Sequence, residues 1–295
     1  MGVNMAHTKD KTAQVCSFLG VQAARRVLAL PADKREGLTE IRLRIGKPMQ
    51  LRVNGQNFNA EDFLPAQGDI TETLERISRH SYYAFEAELA QGYITLSGGH
   101  RVGVAGQVVC EGGIVRAFRH ISGLCVRIAH SVEGCADKVL PKIYDGGSFC
   151  NTIIISPPGF GKTTLLRDIV RQVSNAGETV GVVDERSEIA GCYEGIAQND
   201  VGLFTDVLDA CPKAEGMVML LRAMSPRIIA VDELGGEKDA AAVAQALNAG
   251  VKLLCSAHGY EVGDIPENLR IFDRYIVLDA PARIKGVYDA GGALC

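Results

Sequence analysis

No apolar run in the 295-residue chain approaches the ~18 residues that a membrane-crossing helix needs. The opening stretch, MGVNMAHTKD, also lacks the apolar core of a signal peptide. It begins Met-Gly, but Ala6 stands where a myristoylation signal requires Ser or Thr. A cytosolic protein is therefore expected. Closely spaced cysteines are missing too. Nine are spread from Cys16 to Cys295 without one C-x-x-C pair, which argues against a disulfide framework or zinc cage and for buried, reduced thiols. There is no strong basic excess, and an aromatic–basic stretch of the kind that stacks bases is lacking. Nucleic acid is thus not the expected main partner. Internal repeats and low-complexity tracts are absent as well.

What is present suits a globular protein of two domains: 47% of residues are hydrophobic, enough for a sizeable core. Net charge is −4, unevenly divided. Residues 1–147 carry 18 basic and 15 acidic side chains, and residues 148–295 carry 13 and 20. Such an offset would favour docking of the first half of one subunit on the second half of another. By itself it is no more than scattered surface charge also gives.

The two halves differ in pattern. Residues 10–30 place Val15, Phe18, Leu19, Val27, Leu28 and Leu30 at helical spacing, and Pro31 ends the run. EIRLRIGKPMQLRVNG alternates: Ile41, Leu43 and Ile45 face one way, Arg42 and Arg44 the other, and Gly46-Lys47-Pro48 supplies a hairpin turn. Residues 69–90 suit helices. YITLSG, HRVGVAGQVV and CVRIAH suit three strands, with GIVRAFR between the last two and turns at Gly98-Gly99 and Gly112-Gly113. The first domain, residues 1–142, is therefore expected to be α+β on an antiparallel sheet. Pro141 and Asp145-Gly146-Gly147-Ser148 mark the boundary. In residues 143–295, short continuous apolar runs (NTIIIS, TVGVVD, PRIIAVD, VKLLCS, RYIVLD) alternate with helical stretches. That predicts a mostly parallel sheet covered on both faces, an α/β domain.

The first of those runs leads into SPPGFGKTTLLRD. This nearly spells the phosphate-binding loop G-x-x-x-x-G-K-[ST], with Ser156 in place of the first glycine. Strand, loop and helix come in the order such a loop requires. Backbone amides across Pro158, Gly159, Phe160, Gly161, Lys162, Thr163 and Thr164 would face phosphate oxygens, aided by the helix dipole. Lys162 would reach the β- and γ-phosphates, and Thr163 would hold Mg²⁺. Ser156 lies at the strand exit, where Pro157 biases it to an extended backbone, so it is expected to be tolerated. RIIAVDEL brings Asp232 to the metal and Glu233 to the attacking water. Two further strand ends carry Glu185 and Glu188, and Ser256 and His258, toward the same edge. His258 is either a γ-phosphate sensor or a structural histidine. Glu185 and Glu188 either position water or a metal, or begin a solvated helix.

In the order SPPGFGKT, VVDERSE, IIAVDE and CSAHG, these segments resemble the secretion ATPases of type II and type IV systems, including pilus retraction motors. EIRLRIGKPMQLRVNG resembles that family's N-domain strand pair, and HRVGVAGQVV with VRAFRHIS its arginine-bearing segment. GGHRVGVAG, PPGFGKTTLLRD, DERSEIAG, DVLDACPKAEGMVMLLRAMSPRIIAVDELGG and SAHG more narrowly resemble the stage III AA family of sporulation ATPases in endospore-forming bacteria, from about residue 40 onward. The resemblance implies a RecA-like P-loop NTPase domain and a cytosolic, hexameric ATPase using ATP and Mg²⁺. It also implies partners from the same operon, which form a membrane channel between mother cell and forespore and recruit the ATPase to the mother-cell membrane. By position, Arg101 and Arg119 match the family's arginine fingers, although both also suit a sheet surface. Two other readings stay open: a nucleotide-gated assembly scaffold with little turnover, which Ser156 leaves possible, and a nucleic-acid motor, which the acidic charge disfavours.

Overall fold

Alternation in the first half and continuous burial in the second translate into two different sheets. The computed structural model describes residues 11–78, 85–90, 92–130 and 132–295. The chain divides into two compact units, Met1–His130 and Ser131–Cys295. The expected boundary at 142/143 lies later than this division. Ala136, Val139, Ile143 and Phe149 are buried in the second unit's core, so the segment before Pro141 packs with the α/β half of the chain.

The first unit opens with α1 (Lys11–Phe18), α2 (Val21–Leu28) and α3 (Ala32–Glu36). The run expected as one helix over 10–30 is thus two. Gly20 starts the second, and its amide is taken by Thr73 Oγ1 at 3.0 Å instead of a preceding helical turn. Then come β1 (Leu38–Arg44), β2 (Lys47–Val53), β3 (Gln56–Ala60), α4 (Gln67–Ser78), α5 (Glu86–Ala90), β4 (Tyr93–Thr95), β5 (Arg101–Glu111) and β6 (Ile114–Arg127). The sheet is antiparallel in the order β3-β2-β1-β6-β5-β4. The alternation in β1 holds for Ile41 and Leu43, fully buried among Val15, Leu19, Val27 and Ile70, but Ile45, expected on the same face, lies past the end of the strand and is exposed. GIVRAFR is not a separate connection. It runs into CVR as one 14-residue strand, paired along β5 with three register shifts that absorb its broken alternation. Of the helical span 69–90, residues 79–84 lie outside the described residues.

The second unit adds β7 (Tyr144–Asp145) and β8 (Ser148–Phe149), then β9 (Thr152–Ile155), α6 (Lys162–Asn175), β10 (Val180–Asp184), β11 (Thr205–Asp209), α7 (Lys213–Ala223), β12 (Ile228–Val231), α8 (Glu237–Asn248), β13 (Lys252–Ala257), β14 (Arg274–Ala280) and β15 (Arg283–Asp289). Its seven-stranded sheet has the order β11-β10-β12-β13-β9-β14-β15, parallel throughout except the last pair. All residues of β9, β10 and β12 are buried, as continuous apolar runs require. Each face carries its own core cluster, one around Ile154, Leu166 and Ala230, the other around Ile153, Val231 and Met217. The two edge strands, β11 and β15, escape the apolar-run criterion because each has a half-exposed, polar-interrupted sequence. No described helix is long and apolar enough to cross a membrane. All nine cysteines are free thiols; Cys110 and Cys295 are exposed, contrary to the expectation of buried thiols.

Candidate nucleotide site

Parallel strands place all their carboxyl ends on one edge, and ligands gather there. Four neighbouring strands, β10, β12, β13 and β9, deliver the polar groups of this site. The loop after β9 turns through Gly159 (φ +80°) and Gly161 (φ +95°), left-handed conformations that glycine adopts without strain. Gly161 is the N-cap of α6 and offers no side chain to the helix's first amides. A phosphate oxygen suits that role. Ser156 is fully buried, its backbone φ is not positive, and its hydroxyl donates to the Pro157 carbonyl at 2.9 Å. The strand exit thus accommodates serine by a local hydrogen bond.

Lys162 reaches back along the inside of this loop. Its Nζ donates to the Ser156 carbonyl at 3.0 Å and lies 3.1 Å from His258 Nδ1. Burial pulls its ammonium below the usual lysine value, and the carboxylates of Asp232, Glu233 and Glu188 pull the other way. An ammonium so placed loses hydration and gains from any anion that enters. Thr163 Oγ1 donates to Asp232 Oδ2 at 2.6 Å. A hydroxyl beside a carboxylate, at the start of a phosphate-binding helix, is a hard oxygen set that fits Mg²⁺. The other carboxylate oxygen, Oδ1, accepts from the Ser256 hydroxyl.

Glu233 is next in the chain and has a left-handed backbone (φ +54°), a conformation uncommon for a non-glycine residue. Its amide donates to Ser256 Oγ at 3.0 Å, so β13 holds the turn after β12. The carboxylate is gripped at both oxygens: His258 Nε2 is 3.2 Å from Oε1, and Arg186 Nη1 donates to Oε2 at 3.0 Å. One neutral histidine tautomer meets both neighbours, with Nδ1 accepting from Lys162 and Nε2–H donating to Glu233. Lys162, His258 and Glu233 thus form a continuous chain.

The acidic segment after β10 is held differently. Asp184 is buried and accepts from the amides of Glu188, Ile189 and Ala190. Burial lifts its carboxyl above the ordinary aspartate range, against those three amides. Glu185 pairs with Lys213 at 2.8 Å. Asp184, Glu185, Arg186, Glu188, Lys213, Asp232 and Glu233 surround one small cavity of about 20 Å³.

Lys162, Thr163, Asp232, Glu233 and His258 are therefore brought into one network, with Glu185 and Glu188 at its border. Pro158 and Gly159 are exposed, Phe160 packs on the core, and the Thr164 carbonyl accepts from Cys135 Sγ. Arg101 and Arg119 belong to the first unit. The guanidinium of Arg101 stacks on the Tyr93 ring at 3.5 Å, and Arg119 is exposed beside a cavity of about 390 Å³ lined also by Arg116, Phe118 and His120. Sequence reasoning missed Arg186, Lys213 and Arg167, because a lone basic residue beside an acidic segment carries no spacing signal. No group of three or more metal-ligating His, Cys, Asp or Glu side chains occurs among the described residues.

Solved structures of secretion and pilus ATPases share this fold. The Legionella pneumophila ATPase DotB matches with a TM-score of 0.53 at 17% identity, over 77% of this chain and 63% of its own. The pilus retraction motor PilT, solved with bound ADP, matches with a TM-score of 0.54 at 18% identity, over 88% of this chain and 77% of its own. At these identities the likeness establishes the α/β fold with its smaller N-terminal α+β part. A nearer relative is the stage III sporulation protein AA of Bacillus subtilis (strain 168), 42% identical over 279 residues, which cover 89% of this chain and 90% of that one. The family model described as "Sporulation stage III, protein AA" matches residues 9–295, and the chain belongs to that family.

Proposed function

We propose that the chain hydrolyses Mg²⁺-ATP and works as a hexameric motor that powers or assembles the mother cell–forespore channel. The observation that carries this reading is the linked set of Lys162, Thr163, Asp232, Ser256, Glu233 and His258 at the carboxyl edge of one parallel sheet. Such a set suits phosphoryl transfer, where the protein supplies position and charge and little covalent chemistry. Mg²⁺, when bound, neutralises charge on the phosphate oxygens. Lys162 exchanges its loop carbonyl partners for phosphate oxygens, and Thr163 and Asp232 orient the ion. Glu233 orients the attacking water and takes up its proton. His258 links Glu233 to Lys162, which suits a group that senses the terminal phosphate. Glu185 and Glu188 border the water's approach. Arg101 and Arg119 act as fingers supplied by the neighbouring subunit of the ring. The chain acts in the cytoplasm and is held at the mother-cell membrane through channel proteins of the same operon.

The test is phosphate release by purified protein with Mg²⁺-ATP at several protein concentrations, with Lys162→Ala beside it. Turnover that rises more steeply than protein concentration supports a site completed between subunits. Turnover in the alanine variant equal to the parent would sink the assignment of Lys162.

A further inference from the structure

The segment Glu188–Ala190 is gripped on both of its edges by charged side chains. On the amide edge, Asp184 Oδ1 and Oδ2 accept from the N–H groups of Glu188 (2.8 Å), Ile189 (3.0 Å) and Ala190 (2.8 Å). On the carbonyl edge stands Arg167, a turn beyond Thr163 on α6. Its Nε donates to the Ile189 carbonyl and its Nη2 to the Glu188 carbonyl, both at 2.6 Å. Asn199 Nδ2 adds a third donor to the Ile189 carbonyl at 3.0 Å. Ile189 and Ala190 are fully buried, so water cannot substitute for these partners.

An acidic loop does not need an arginine of the phosphate-binding helix merely to close on itself. Asp184 already closes it by taking three amides. The guanidinium does something else: it ties the carbonyls of that loop to the helix whose first residues are Lys162 and Thr163. Its planar fork holds two carbonyls of successive residues in one fixed geometry, where an ammonium offers rotating donors around a single point charge. Glu188 lines the small cavity shared with Asp232 and Glu233.

We infer that Arg167 is a positioning residue, which fixes the acidic loop bearing Glu185 and Glu188 to the phosphate-binding helix and so sets where these carboxylates stand beside Asp232 and Glu233. This rests on the hydrolysis reading above for its effect on rate, but not for its effect on the loop. The hydrogen bonds described go from Arg167 to peptide carbonyls, and its charge also acts on Asp184, Asp232 and Glu188, so its loss should reduce the chemical step more than nucleotide affinity.

The experiment pairs Arg167→Met with Arg167→Lys in the full chain. Three quantities are read: kcat and KM for Mg²⁺-ATP, amide hydrogen exchange over residues 185–191, and melting temperature. For Arg167→Met we expect kcat to fall about tenfold or more with KM changed less than about twofold. We expect the amides of Glu188–Ala190 to exchange about tenfold faster or more, while the interior of α6 stays protected. Arg167→Lys, which keeps the charge but loses the planar fork, should fall between the parent and the methionine variant and serves alone if methionine does not fold. A merely structural arginine would lower the melting temperature and leave kcat in place. Parental kcat with parental exchange in the lysine variant would overturn the inference, as would a rise in KM at constant kcat. If the parent chain itself turns over no ATP, the hydrolysis reading fails separately. Slower or unchanged loop exchange in either variant would then still sink the clamp, and faster exchange would uphold it.

Discussion

The two sheets of this protein carry charged side chains in opposite ways. In the second unit, β9, β10 and β12 are buried along their whole length, so charge can stand only at their ends. Asp184, Asp232 and Glu233 all stand there, each with named partners within hydrogen-bond reach. In the first unit, β5 and β6 are exposed or half-exposed over most of their length, and their arginines are spread along the strands. A covered parallel sheet thus concentrates its chemistry at one edge. An open antiparallel sheet offers a surface whose meaning depends on what meets it.

The largest effect expected from this contrast is on binding. Lys162→Ala removes the one buried ammonium of the loop, and Mg²⁺-ATP affinity should drop by about 100-fold or more, roughly 3 kcal/mol. Titration calorimetry with parent and variant checks it. A loss below about threefold would break the idea that the edge charges act on phosphate.

Acid should separate the two units next. His100 is fully buried in the first unit and held neutral, its pKa pushed down to about 4 by burial, with Lys11 and His130 adding repulsion. The unfolded histidine takes its proton near 6.5. Stability is therefore fully present above that value and lost as pH falls toward 4, by about 3 kcal/mol. In the second unit, burial raises the Asp168 carboxyl, but the Ala136 amide, Arg171 and Gln172 more than offset this and hold it below the ordinary aspartate value of 3.8. Its contribution is present above that value and is lost only as pH falls below it. Hydrogen exchange from pH 7 to 4 should show the first unit loosening alone, and His100→Gln should flatten that loss.

A steric change in the first unit ranks below this. A Cβ on Gly106 would lie 2.0 Å from the His120 carbonyl oxygen, across the bulged part of the β5–β6 ladder. Gly106→Ala should cost about 2 kcal/mol in urea unfolding and leave nucleotide binding unchanged. The smallest effect on folding is expected at Arg119, which is exposed. Arg119→Ala should move stability by less than about 0.5 kcal/mol. If it is a finger, turnover falls sharply nonetheless, and a rate equal to the parent's would return it to the sheet surface.

The same contrast governs what could be read in the sequence. NTIIIS, TVGVVD, PRIIAVD and VKLLCS fill their strands with apolar residues because both faces are covered, so strands and functional ends are visible together. TDVLD, at the sheet edge, keeps an exposed aspartate at Asp206 and gives no such signal. GIVRAFR was hidden for a related reason: three register shifts let a long strand tolerate a pattern that a flat ladder would forbid. Ser156 was legible as tolerable from Pro157 alone. Arg167 was not legible, because its partners are backbone carbonyls about twenty residues away, and a carbonyl leaves no mark in the sequence. Arg186 was equally hidden, since its pairing with Glu233 needs β10 and β12 to be neighbours in the sheet.

The central claim is that Glu233 serves the chemical step at a site that Lys162, Thr163 and Asp232 build for Mg²⁺-ATP. The most direct measurement takes the parent and Glu233→Gln side by side, reading nucleotide affinity and steady-state phosphate release in the same samples. The amide keeps the shape, and its one oxygen can still accept from Arg186 or from His258, but its NH2 cannot accept from the other and it cannot take a proton from water. Affinity within about threefold of the parent is predicted, with turnover reduced about 100-fold or more. Glutamine-bearing protein that hydrolyses ATP at the parental rate would contradict the claim.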